Sequence, residues 1–384
     1  MPRDGGGSWE SEFGPFEGET WLDCAHQGPL PRAAVAAAQR ALRQKVVPSL
    51  LRDSDFTKVP QSLKRRLGAL VGVRPDEVIL GNSASYGLHV LRNGLRWKSG
   101  DEVVSASNEF PATVYPWLGM ESPRVKVRLL TPLRGSLTPP ELEKKIGPET
   151  RLVALSWVNS FTGSVLDVKS IGRVCHDRDV LFVLNVSQGL GTREFRGLAR
   201  SVDAIVSTGC KWLCGPYGTG FAWVRPEVRA ELRRVQCYWL PHSWGSKLTS
   251  FKLKLSRWHS DFDVFCTGNF MNFLPWQASL NLIDRLGVPR IQRHNEALVS
   301  QLLEGASNLG YRIVSPVEKD RRSSIGVLSH PKSARNRPIL ARLSRARIRA
   351  SLRRDNLRFS PHLYNSRSQI SRVLSTLHRA RSGK

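Results

Sequence analysis

No apolar run in the sequence approaches the roughly twenty residues that a membrane-crossing helix requires, so no membrane span is expected. The opening stretch, MPRDGGGSWESEFG, lacks the apolar core of a secretory signal and carries too many acids for a transit peptide. Cysteine is sparse: six residues scattered over 384 form no disulfide framework and point to reduced thiols and a cytoplasmic protein. Cys210 and Cys214 are the closest pair, but no second pair or histidine cluster accompanies them, so no metal site is expected. Acidic charge is also short, with 32 Asp and Glu against 58 Lys and Arg, a formal net charge of +26. Such a field attracts anions, and its basic residues are densest from Lys319 to Arg358. No zinc-finger spacing or aromatic RNA-binding signature goes with them. The basic residues therefore read as a solvated surface, and nucleic acid is not an expected partner.

What is present fits a globular chain long enough to bury a large core and divide into two lobes. Strand-like runs recur as EVILGN, DEVVSA, RVKVRLL, RLVALSW, VLFVLNV, DAIVST and TGFAWV, with helical stretches between several of them. That alternation predicts an α/β lobe with a mostly parallel sheet. A helix is predicted over Arg32 to Val47. Beyond Asn272 the texture changes to long helical segments, a strand candidate at SSIGVLSH and a last helix at SRSQISRVLSTLHRA. The expected organisation is an N-terminal segment, 1–34, associated with the small lobe, a large domain, 35–270, and a small α+β domain, 271–384. The boundary falls near the turn Cys266 to Asn269.

In open α/β sheets, ligands sit beyond the carboxyl ends of the strands. One such edge collects Ser83, Ala84 and Ser85 before a helix, a start suited to an anion. It also receives Phe110, Tyr115 and Trp117 as flat partners for a ring, Asn159 and Thr162, then Asn185, Ser187 and Gln188, and finally Thr208 and Lys211. Lys211 stands among small residues in STGCKWLCGPYGTGF, where a buried strand ends. A buried amine is costly there unless it is paired or chemically tied up. An amine, a phosphate cup, amides and an aromatic face suit a pyridine aldehyde phosphate.

With these motifs in this order, from WLDCAHQGPLP to LRFSPHLYNS, the chain resembles the class V aminotransferase family of fold-type I pyridoxal-phosphate enzymes, which includes cysteine desulfurases and isopenicillin N epimerase-like proteins. The resemblance implies pyridoxal 5'-phosphate as cofactor, an amino-acid substrate and a homodimer. It makes Lys211 the lysine that bonds the cofactor and moves the α-proton. Ala84, Ser85 and Thr208 match the phosphate cup, and Thr267 matches a threonine reaching the partner subunit's phosphate. Cys266, before it, stands where the family usually has glycine. Gln188 matches the residue on the phenolic oxygen, Asn159 the same neighbourhood, and Phe110 the ring face. Arg358, within a pattern completed by Ser360, Tyr364 and Asn365, matches the arginine that holds the substrate α-carboxylate.

Three departures stand out. Asn185 replaces the aspartate that faces the pyridine nitrogen, so that position supplies a hydrogen bond without charge. Cys210 replaces the histidine before the lysine. No cysteine follows Cys266, whereas desulfurases need one on a small-lobe loop shortly before the carboxylate-binding arginine, so persulfide-type desulfuration is not expected. The resemblance makes aminotransfer at the α-carbon the first expectation, with epimerisation or β/γ-elimination as the alternative. A third reading is a degenerate, non-catalytic protein with a basic binding surface.

Overall fold

The computed structural model describes residues 9–120, 125–234, 236–239, 242 and 261–381. The Gly/Ser-rich start at 1–8, and Arg124 of the third strand run, lie outside the described residues.

All seven apolar runs become strands of one sheet: β2 (Val78–Gly81), β3 (Glu102–Ala106), β4 (Lys126–Leu130), β5 (Thr150–Ser156), β6 (Leu181–Asn185), β7 (Ala204–Thr208) and β8 (Gly220–Val224). They follow a short first strand, β1 (Thr20–Trp21). Their order across the sheet is β2–β8–β7–β6–β5–β3–β4. Only β8 runs against the rest, between β2 and β7. The runs are apolar at successive positions because both faces are covered. Leu80, Val104, Val153, Phe182 and Ile205 enter one core, while their neighbours Ile79, Val103, Leu152, Val183 and Val206 enter the other. This is the α/β, mostly parallel architecture expected of a fold-type I enzyme.

A second, four-stranded antiparallel sheet lies toward the C-terminus: β9 (Arg312–Ile313), β10 (Gly326–Ser329), β12 (Ser351–Arg353) and β13 (Asn356–Phe359), in the order β12–β13–β10–β9. Between β10 and β12, β11 (Ile348–Arg349) pairs in parallel with β1 and so joins the start of the chain to its end. Strands β12 and β13 form a hairpin whose two turn residues, Arg354 and Asp355, both have positive φ (46° and 59°). That is the twist-compatible two-residue turn. The helices Phe270–Leu286, Val288–Asn308 and Arg367–Arg381 fall where the sequence predicts them. Two others, Asp55–Val71 and Asn336–Arg345, were hidden by their many charges. No helix among the described residues is long and apolar enough to cross a membrane.

Two features fix the site-bearing edge. Helix Ala84–Gly94 starts at Ser83, whose hydroxyl accepts the Tyr86 amide at 3.2 Å. Gly220, at the adjacent start of β8, has no room for a side chain: a Cβ there would lie 2.6 Å from the Ser83 nitrogen. Beneath, Lys64 and Asp263 form a buried ion pair at 2.7 Å, and the second Asp263 oxygen accepts the Leu80 amide of β2. The pair thus clamps helix Asp55–Val71 to the strand that delivers Ser83. Removing one partner strands a buried charge, so Lys64→Ala should cost about 3–5 kcal/mol in chemical denaturation. A loss below about 1 kcal/mol would show that the clamp does not hold this edge.

Candidate active site

A cavity of about 260 Å³ opens at the carboxyl ends of the parallel strands. Seven of the ten predicted site residues line it: Ala84, Ser85, Phe110, Asn185, Gln188, Thr208 and Lys211. The amides of Ala84 and Ser85 are the first two of a helix and have no carbonyl one turn back, so they are free to meet an anion. Thr208 stands beside them, its hydroxyl 3.3 Å from the Cys210 thiol. Phe110 is 39% exposed and presents its ring 5.0 Å from the Lys211 ammonium nitrogen. Tyr115 and Trp117 do not join it. In the helix Pro111–Leu118, Tyr115 points to solvent and Trp117 packs edge-on to Trp97.

Lys211 is partly buried where β7 ends. Burial, helped by the charges of Arg358 and Arg353, lowers its amine to about 8, with Cys210 and Asp23 opposing. Its backbone is held from the N-terminal side. The Gly28 amide donates to the Cys210 carbonyl at 2.8 Å, and a Cβ on Gly28 would fall 1.8 Å from the Lys211 carbonyl oxygen.

Asn185 is held at both ends of its amide. Its Nδ2 donates to Thr113 Oγ1 at 3.0 Å, and its Oδ1 accepts the Ser187 amide at 3.1 Å. Thr113 Oγ1 lies 3.5 Å from Ser156 Oγ, and Ser156 donates both its amide (2.7 Å) and its hydroxyl to Glu109. With the Ser156 proton committed to Glu109, Thr113 supplies the one between the two hydroxyls. Every donor in this chain therefore points from Asn185 toward a carboxylate. Burial raises the Glu109 carboxyl above the usual carboxylate range, against the hydrogen bonds from Ser156 and from the Phe110 backbone. Gln188 uses Nε2 on Ala25 O and Ser160 Oγ, each at 3.0 Å, and Oε1 on the Trp212 indole.

Three predicted residues lie outside the cavity lining. Asn159 is a turn former: its Oδ1 accepts the amides of Phe161 and Thr162, and its Nδ2 donates to Asn108 O. Its side chain is taken up by that turn, directly before Ser160, which lines the cavity. Thr267 is fully buried elsewhere, its hydroxyl without a partner among the described residues. It follows Cys266, whose φ of 60° explains why glycine suits that position. Arg358 is buried behind Ser160. It donates to Ser160 O at 3.2 Å and to Asp23 Oδ1 at 3.0 Å, while its Nε has no partner among the described residues.

Sequence reasoning missed Asp23, His26 and Ser160. Asp23 and His26 belong to the WLDCAHQGPLP stretch quoted above, but nothing local marks a residue whose partners lie more than a hundred positions away. The assembled donor set is an amine of lowered basicity, an anion-binding helix start, a flat aromatic face and a fixed amide. It fits an anionic aromatic aldehyde, and with it pyridoxal 5'-phosphate.

Comparison with known proteins gives the same result. The chain is 27% identical over 254 residues to a probable cysteine desulfurase of Methanothermobacter thermautotrophicus, covering 66% of this chain and 62% of that protein. Over 377 residues it is 23% identical to the isopenicillin N epimerase of Amycolatopsis lactamdurans, covering 93% and 94% of the two chains. Its fold matches that of C-DES. One structure, with glycine covalently linked to the pyridoxal phosphate cofactor, gives a TM-score of 0.86 at 20% identity and covers 96% of this chain and 98% of that one. Another shows C-DES as a cystine C–S lyase with its product cysteine persulfide, at a TM-score of 0.83 and 20% identity, covering 94% and 97%. Residues 21–352 match the aminotransferase class-V family. The protein belongs to that family and is a pyridoxal-phosphate-dependent enzyme.

Proposed function

We propose that this enzyme labilises the α-hydrogen of an amino acid and completes its reaction chiefly by loss of a β-substituent, as a lyase, rather than by aminotransfer. The carrying observation is the amide of Asn185, neutral and fixed at both ends. Bound pyridoxal phosphate supplies an electron sink for the charge that develops at the α-carbon. Its depth depends on a protonated ring nitrogen, which a facing carboxylate favours and a neutral amide does not. A charge that is stored less well is better released at once with a leaving group, whereas aminotransfer must hold it while the proton is relocated. The similarity to C-DES favours the same outcome over the family's label. In this reading Lys211 carries the cofactor and moves the α-proton. Ala84, Ser85 and Thr208 hold the phosphate, Phe110 covers the ring, and Arg358 orients the substrate carboxylate. Gln188 serves the phenolic oxygen once Ser160, itself able to turn its hydroxyl, releases it.

The division into domains 35–270 and 271–384 would set the cavity where they meet. A homodimer belongs to the same reading: Val35, Leu42 and Val46 lie exposed along helix Arg32–Val46, an apolar surface suited to a second copy. Thr267 would then act on the partner's cofactor.

Two outcomes are expected. Cofactor capture by the apo-protein, followed by visible absorbance, should accelerate with pH around a midpoint near 8 and vanish in Lys211→Ala. The neutral amine is the nucleophile, so the rate rises as the proton leaves. A midpoint near 10.5 would mean that burial does not tune this lysine. With amino acids bearing a β leaving group, wild type should release ammonia and a 2-oxo acid without passing nitrogen to an added 2-oxo acid acceptor. Asn185→Asp should shift the partition toward aminotransfer by on the order of tenfold, about 1.4 kcal/mol. A wild type that mainly transfers nitrogen would sink the lyase reading.

A further inference from the structure

The hairpin β12–β13 has two faces. Opposite residues of an antiparallel pair share a side, and positions two apart in a strand share it too. Leu352, Leu357 and Phe359 therefore face the apolar core behind the small sheet, where Leu357 and Phe359 are fully buried. Ser351, Arg353, Asn356 and Arg358 face the other way. That side is the cavity side. Ser351 donates to Asp23, and Arg358 donates to Asp23 and to the carbonyl of Ser160, itself a lining residue. Arg353 stands two positions beyond Ser351, toward the tip.

The tip is anchored over the cavity's rim. Arg354 donates to the Ser107 carbonyl at 2.9 Å and sets its guanidinium 4.8 Å from the centre of the Phe161 ring. Ser107 belongs to the loop that carries Phe110, and Phe161 follows Ser160. Arg353 thus lies between this anchor and Arg358, on the hairpin face that also carries Ser351 and Arg358. Its charge is felt at both Lys211 and Arg358.

Among the described residues Arg353 has no counter-ion. Its only hydrogen bond among the described residues goes to the carbonyl of its own neighbour, Leu352. Asp23 is committed to Arg358 and Ser351, and Glu109 to Ser156. If Arg358 takes the α-carboxylate, one planar cation with free donors remains a short step farther out. We propose that Arg353 is the specificity residue of this site, and that the substrate is an amino acid whose side chain carries a second negative charge, such as a carboxylate, sulfonate or phosphate.

The inference rests on the amino-acid reading above, and the test separates the two. Apo-protein is titrated calorimetrically with glutarate and with butyrate, which probe two anionic groups against one without any cofactor. Glutarate should bind at least tenfold more tightly, the size of one charge-assisted hydrogen bond. Arg353→Gln should erase that preference while changing butyrate affinity less than threefold, and Arg353→Lys should keep part of it. Equal affinities in wild type, or an Arg353→Gln variant that weakens both acids alike, would overturn the proposal; the second result would make Arg353 the α-carboxylate residue instead. On the loaded enzyme, KM for O-phospho-L-serine and L-aspartate should rise ten- to a hundredfold in Arg353→Gln, while KM for L-serine and L-asparagine holds. If the loaded wild type takes neutral and anionic amino acids equally, the specificity proposal fails and the amino-acid reading stands. If it takes up cofactor through Lys211 and then responds to no amino acid at all, the amino-acid reading fails, whatever the calorimetry gives.

Discussion

The contact between Asp23 and Arg358 is the constraint on which the rest of the site hangs. One carboxylate oxygen accepts from the Arg358 guanidinium and the Ser351 hydroxyl. Arg358 in turn reaches the Ser160 carbonyl. Three parts of the chain separated by more than a hundred positions are joined there: the N-terminal segment, the small-sheet hairpin and a loop of the large sheet. An arginine 2% exposed cannot stand without such a counter-charge, because desolvating a lone guanidinium costs more than the fold can supply. Once Asp23 is seated, the residues after it are seated as well. Ala25 receives Gln188, and Gly28 meets the carbonyl of Cys210. The segment therefore forms the back wall behind Lys211.

The electrostatics of the cavity follow from what that contact leaves over. Among the described residues Asp23 is the one carboxylate in direct contact with Arg358, and Glu109 is farther out, reached from Asn185 through two hydroxyls. A chain of aligned donors transmits part of a charge but moves no proton to the ring. Asn185 thus places a fixed, uncharged amide at the position where the resemblance puts an aspartate. Against this weakened negative side stand Lys211, Arg353 and Arg358. Burial is the main cause of the lowered basicity of Lys211, and the neighbouring cations add to it by making its proton harder to hold.

The large sheet was legible in the sequence because two covered faces demand unbroken apolar runs, and such runs survive any helix placed between them. The cavity was legible in the same way: a parallel sheet sends every strand's next residues to one edge, so Ser85, Asn185, Gln188, Thr208 and Lys211 had to meet. The hairpin was not. Its strand positions on the Asp23 side are two arginines, a serine and an asparagine, so SLRRDNLRF reads as solvated charge unless Asp23 is known to lie opposite. Helix Asp55–Val71 was hidden for a similar reason. Its buried stripe includes Lys64, a residue whose burial depends on Asp263 nearly two hundred positions away. Asn159 is ambiguous in the other direction. An asparagine at a strand end satisfies a turn as readily as a ligand, and here four hydrogen bonds to Asn108, Phe161 and Thr162 take up its side chain.

The same hairpin bears on the reaction. A desulfurase of the persulfide kind needs a cysteine that travels between solvent and substrate, carried on a loop with room to move. Here the connection before Arg358 is a two-residue turn, the shortest that joins paired strands, and its tip is tied to the Ser107 carbonyl and the Phe161 ring. It has neither the length nor the freedom to carry such a group, and the sequence places no cysteine in it. What the hairpin offers instead, on the proposal above, is Arg353, a cation with free donors on the strand just before the turn. Positive charge already in place stabilises a leaving anion where it departs. On the lyase reading proposed above, a neutral partner for the ring and a cationic rim would complement each other: the first would limit how long charge is stored at the α-carbon, and the second would favour the anion that carries it away.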